Sequence, residues 1–228
     1  VLTSSMPPVL TADTGIDALT HALEAVVSIF ASPYTDALCA QAARLIFDAL
    51  PRAYGDPDDM EARTEMSNAA TLAGLAFSNA FVGPNHALAH AVGAKFGIAH
   101  GRANAIFLPH VLRYNAGLPS KFMPAPGYSA YVAPDKYAQI GQLIFGGHEP
   151  GDSRARLLHG VEGLLDQVGM PHSLKEIGVP EDAFLAELPA LAMTAFEDLS
   201  NRTNPRMPLV TEITELLRLG YYGSAAPA

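Results

Sequence analysis

Leu38, Ala42, Leu45, Ile46 and Ala49 recur at the spacing of one helix face, and nowhere does the chain offer a convincing two-residue alternation of apolar and polar side chains. Hairpin dipeptides between apolar runs are also missing. That pattern restricts the chain to an all-α fold. Alanine is abundant and tryptophan absent, which suits close-packed helices. With 228 residues, half of them apolar and 16% charged, the chain can bury a real core.

Start and stop signals divide the chain into nine predicted helices. The first covers about 14–30, with Asp13 or Thr14 as its cap. In the second, Ser32 caps, Pro33 takes the first helical position and Pro51 ends or kinks it. The third, about 58–80, turns apolar on all faces in its second half and is expected to be a buried central helix. The fourth and fifth cover 84–96 and 101–116, joined through Gly97. Residues 117–135 are rich in proline, glycine and aromatics and are expected to form an ordered loop. Further helices are expected at about 134–145, 152–168, 181–197 and 208–219, followed by a frayed tail. The whole reads as a single all-α domain, residues 1–228.

Several function classes are excluded. The net charge is −9 with no lysine or arginine cluster, so nucleic acid is not an expected partner. No apolar run reaches the length of a membrane span, and the N-terminus lacks the charged region of a secretory signal. It also lacks an initiator methionine, which suggests a trimmed chain or a fragment. Cys39 is the only cysteine, which rules out an internal disulfide and fits a cytoplasmic location. No glycine-rich phosphate loop, nucleophile elbow or HExxH sequence is present.

The chemistry-bearing residues are the histidines. Of the eight, His148, His159 and His172 lie in polar or turn-like surroundings and read as surface or capping residues, and His110 reads as a core or cap residue. His86 and His90 stand at i, i+4 on one face of a short apolar helix. Two charged imidazoles there would repel and resist desolvation, whereas neutral imidazoles are metal ligands. His100 follows a short turn, and Asp17 and His21 form a second i, i+4 pair on another helix. Alone, the Asp17–His21 pair reads as a local ion pair. Together the five residues offer a carboxylate and several imidazoles, a donor set for Fe(II) or Zn(II) rather than Ca(II) or Mg(II).

The stretches TGIDALTHALEAVVS and NHALAHAVGAKFGIAHGRANAIFLPHVLRYN resemble the iron-dependent (group III) alcohol dehydrogenases, from about residue 7 to 223. Within that family, SIFASPYTDALCAQAARLIFDALPRAYGDP, the 120–140 segment and RTNPRMPLVTEITELLRLGYYG resemble the alcohol dehydrogenase domain of bifunctional aldehyde–alcohol dehydrogenases, which make ethanol by way of acetaldehyde. The resemblance implies a metal on Asp17, His21, His86 and His100, with iron expected and zinc possible. It places His90 near the nicotinamide and substrate, assisting proton transfer. It implies a multi-helix C-terminal domain of the dehydroquinate synthase-like fold, NAD(H) bound mainly by an N-terminal α/β domain absent from this chain, a small alcohol or aldehyde as substrate, and a homo-oligomer. Phe77, Phe81 and Phe107 are expected around the substrate pocket. Val26, Ala99 and the GPN before His86 depart from the family pattern without touching a ligand. The competing readings are a non-catalytic helical fragment or assembly module, inactive without its nucleotide-binding domain, and a metal hydrolase. The hydrolase lacks a general-base carboxylate beside the histidine pair.

Overall fold

A computed structural model describes residues 3–122, 125–147 and 149–223. His148 and the tail from 224 onward, both subjects of the sequence reading, lie outside the described residues. The described chain is all-α: α1 (Pro8–Ala25), α2 (Pro33–Gly55), α3 (Met60–Ala80), α4 (Pro84–Phe96), α5 (His100–Ala116), α6 (Ala133–Phe145), α7 (Pro150–Gln167), α8 (Glu181–Glu197), a 3-10 turn (Leu199–Thr203) and α9 (Val210–Tyr222). Among the described residues there is no strand, only an isolated bridge between Ala125 and Tyr128 in the 117–132 loop. That loop is held down where the Tyr131 hydroxyl donates to the Asn115 carbonyl at 2.7 Å. No described helix is long and apolar enough to cross a membrane.

Two expectations for α1 fail. The helix starts at Pro8, whose missing N–H costs nothing in a first turn, so Asp13 and Thr14 sit inside the helix rather than capping it. It also ends at Ala25 instead of continuing to about residue 30. The Ile29 amide donates to the Thr203 carbonyl at 2.9 Å, a tertiary bond that draws the backbone out of the helical ladder. Helix α2 begins as expected. Ser32 and Thr35 exchange backbone-to-side-chain bonds of 3.3 and 2.8 Å in a capping box, with Pro33 next in line. Pro51 lies inside α2, which runs on to Gly55.

Helix α3 is not the buried central helix expected. Only one face is covered, through Ala69, Ala73, Ala76 and Ala80, while Leu75 on the opposite side is 52% exposed. The apolar character of this stretch comes largely from alanine, which is tolerated at a surface and gives a thin seam where another helix can approach closely. Arg63, buried near the start of α3, fastens it to the chain before and within α1 by donating to Thr11 Oγ1 at 2.6 Å and the Met6 carbonyl at 3.3 Å.

The helices bury two main apolar clusters. One gathers Ile16, Leu19 and Leu23 of α1 with Ile46 and Leu50 of α2 and Leu157 and Leu165 of α7. The other gathers Leu88 and Val92 of α4 with Phe184 and Leu188 of α8 and Leu217 and Tyr221 of α9. Helix α5 belongs to both: Ala105, Leu108 and Leu112 face the first, Ile106, Phe107 and Val111 the second. Phe107 is fully buried, packed so tightly that a Cβ on Gly220 would stand 2.2 Å from its ring. It is therefore a residue of the second core cluster.

His110, one turn further along α5, is also buried, beside a cavity of about 120 Å³ that it shares with Arg113, Glu162 and His172. Burial, with the Arg113 charge, pushes its imidazole from the ordinary 6.5 down to about 4. His159 and His172 lie on the surface, the latter paired with Asp166 at 2.7 Å. Because folded His110 binds its proton more weakly than the unfolded chain does, its contribution is fully present above pH 6.5 and is lost as pH falls towards about 4. Replacing His110 with Gln should reduce the loss of stability across that window by up to about 3 kcal/mol, read as the difference between urea unfolding free energies at pH 7 and pH 4.

Candidate metal centre

Three helices meet where α1, α4 and α5 converge. Helix α1 projects Asp17, His21 and Glu24 at i, i+4 and i+7, one stripe on one face. Helix α4, begun by Pro84 after Gly83, carries His86 and His90 one turn apart. Helix α5 opens on His100 and places Asn104 one turn on. The α1–α5 contact is set by Gly101. A Cβ at that position would stand 2.0 Å from the Asp13 carbonyl oxygen, so the two backbones touch and the first turn of α5 lies against α1. Arg102 adds an ion pair with Asp13 at 3.3 Å.

Asp17, His21 and His86 bring one donor atom each to within 4.8 Å of one another, the one such cluster found among the described residues. His21 is sandwiched between Phe77 and His86, with ring centroids 4.2 and 4.7 Å away. Asp17 Oδ1 lies 3.6 Å from His86 Nε2 and 3.3 Å from His100 Nε2. His100 borders the cluster without belonging to its tightest triad, and its side chain is 43% exposed. Asn104 Nδ2 donates to Asp17 Oδ1 at 2.7 Å and lies 3.1 Å from His100 Nε2. His90 stands one step outside. Its ring stacks on His100 at 5.3 Å and meets the edge of His86 at 6.0 Å. Its Nδ1 is 2.7 Å from Asp198 Oδ2. All five residues singled out by spacing are thus neighbours.

His86 is the buried member. Its Nδ1 lies 2.6 Å from Glu24 Oε2, while its Nε2 is shut off from solvent without a hydrogen-bond partner. The 3.6 Å to Asp17 is too long for a hydrogen bond. A buried Nε2 without a partner, facing a carboxylate and a second imidazole, is an arrangement that a cation would complete. The electrostatics agree. Burial works against ionisation of Asp17, yet the His100 and His86 rings beside it hold its carboxyl well below the usual range. Burial drives His21 down to about 4, which keeps it neutral and available as a ligand. Burial would lower His86 as well, but the Asp17 and Glu24 carboxylates carry it up to about 9.

Of the three phenylalanines expected around a pocket, Phe77 stacks on His21 beside the donors and Phe107 lies in the core. Phe81 is half exposed, edge-on to Phe30 at 5.6 Å, and adopts φ +65 where α3 turns towards α4. Val26 is buried in the core and Ala99 is the residue before α5, so neither departure reaches the donors. Glu24, Asn104 and Asp198 join the cluster in the structure and are not among the residues that sequence spacing singles out. The first two continue the one-turn spacing of His21 and His100, a signal that was there to use. Asp198 lies 108 residues from His90, and no local pattern links them.

Residues 11–221 match the family model described as Fe-containing alcohol dehydrogenase family, C-terminal. The chain is 41% identical over 228 residues to the bifunctional aldehyde-alcohol dehydrogenase of Escherichia coli K12, covering 97% of this chain and 26% of that protein. It is 41% identical over 219 residues to the 1-propanol dehydrogenase of Salmonella typhimurium LT2, covering 95% of this chain and 56% of that one. Among solved structures, a 1,3-propanediol oxidoreductase superposes with a TM-score of 0.83 at 36% identity, over 96% of this chain and 53% of that one. The chain therefore spans between a quarter and just over half the length of these relatives.

The close α1–α5 approach has a direct test. Gly101→Ala must push α5 off Asp13, and should cost about 1–3 kcal/mol in urea unfolding. Gly74→Ala, in the interior of α3 where a Cβ meets nothing within 4 Å, should instead stabilise by about 0.5–1 kcal/mol.

Proposed function

Because the chain belongs to the Fe-containing alcohol dehydrogenase family, we propose that Asp17, His21, His86 and His100 hold a divalent metal for reversible hydride transfer between NAD(H) and a short-chain aldehyde or alcohol. Iron is the expected ion, and zinc suits the same donors. Acetaldehyde and ethanol are the substrates we favour, with the 1-propanol dehydrogenase relative pointing to the same class of short primary alcohols. The observation that carries the reading is the buried, unpartnered Nε2 of His86 beside Asp17 and His21.

The metal would supply Lewis acidity at the carbonyl or alkoxide oxygen, and the nicotinamide the hydride. The chain's own residues do the rest. Asp17 provides the anionic donor, and Phe77 stacked on His21 keeps that side of the centre dry. His90 is the proton carrier. Its side chain is 48% exposed, so it can exchange protons with solvent while its ring lies against those of His86 and His100. Asp198 accepts from its Nδ1–H and leaves Nε2 for the proton being moved. The described helices form one metal-binding domain, and the nucleotide is held mainly by residues outside this sequence.

Metal content after anaerobic purification tests the reading. The native chain should carry about one Fe or Zn, and His86→Ala should lose it. A native chain that stays metal-free when Fe(II) or Zn(II) is supplied would sink the proposal.

A further inference from the structure

Glu24 is the most enclosed carboxylate of the centre, only 3% exposed, and both of its oxygens are engaged. Oε2 lies 2.6 Å from His86 Nδ1. Oε1 accepts the Asn85 amide N–H at 2.6 Å, one of the free donors in the first turn of α4. The space it occupies is kept open by Gly83, where a Cβ would stand 2.8 Å from Oε1. One side chain from α1 thus caps α4 and grips a histidine on that same helix.

We propose that Glu24 is the positioning residue that fixes the His86 tautomer, keeping the ring proton on Nδ1 so that Nε2 presents its lone pair to a divalent cation. This rests on the reading of His86 as a metal ligand. The chemical logic lies in the donors. A carboxylate can only accept, so it accepts from both Asn85 N–H and His86 Nδ1–H. The opposite tautomer would set the Nδ1 lone pair against a carboxylate oxygen and put the proton on the ligating nitrogen. A capping role alone would leave His86 indifferent to which group faces Nδ1.

Glu24→Gln separates the two. The glutamine oxygen can still accept the Asn85 N–H and keep α4 capped, but its amide then points N–H groups at His86 Nδ1. That selects the tautomer protonated on Nε2. Zn(II) affinity, measured by chelator competition on the full chain, should fall by about ten- to a hundredfold in Glu24→Gln. The ¹⁵N spectrum of the His86 ring, taken metal-free at alkaline pH where the ring is neutral, should show protonated Nδ1 in the native chain and protonated Nε2 in the variant. Unchanged Zn(II) affinity in Glu24→Gln would overturn the proposal and leave the metal reading standing. If Glu24→Gln does not fold, the native spectrum still decides, since a ring protonated on Nε2 overturns the proposal. A native chain that binds no Zn(II) yet shows protonated Nδ1 would overturn the metal reading, and with it the ligand role given to Glu24.

Discussion

The contact of two backbones at Gly101 and Asp13 is the constraint on which the centre depends. Helices that pack through ordinary side chains lie 8–10 Å apart. Here one of the pair gives up its Cβ, and the first turn of α5 comes close enough for His100 and Asn104 to reach Asp17 on α1. The neighbouring residues then follow. Asp17 faces the partners on α5, while His21 and Glu24, one and two turns on, face those on α4. A wider α1–α5 spacing would leave the same residues on the same helices and separate them.

Much of this was legible in the amino-acid order. Helical spacing identifies the fold class, because the apolar face of α2 follows the 3.6-residue period, and prolines and caps mark most of the element boundaries. The two i, i+4 pairs mark the right helices for the same reason. What was not legible depends on tertiary contact. Where α1 stops depends on Thr203, about three quarters of the chain's length away. The exposed side of α3 escapes a reading based on composition, since alanine scores as apolar whether or not it is covered. Phe107 at helical spacing is as compatible with a pocket as with a core, and its contact with Gly220 decides between them.

Polar residues divide in the same manner. Glu24 lies within an apolar stretch of α1, and a buried acid in such a place needs a partner. That partner, His86, is 62 residues away. His90 and Asp198 are still further apart. The candidate donors could be found by local spacing, whereas the carboxylates that face His86 and His90 come from elsewhere in the fold.

The candidate donors are spread over three helices, with Asp17 and His21 on α1, His86 on α4 and His100 on α5. An ion bound by all of them would act as a cross-link. It would tie together segments that contribute to two separate apolar clusters, with α5 anchored in both. Stability would then become a function of free metal concentration, growing logarithmically once that concentration exceeds the dissociation constant. Starvation for the ion would then loosen the junction of the two halves, and the stability of the folded chain would follow the metal supply.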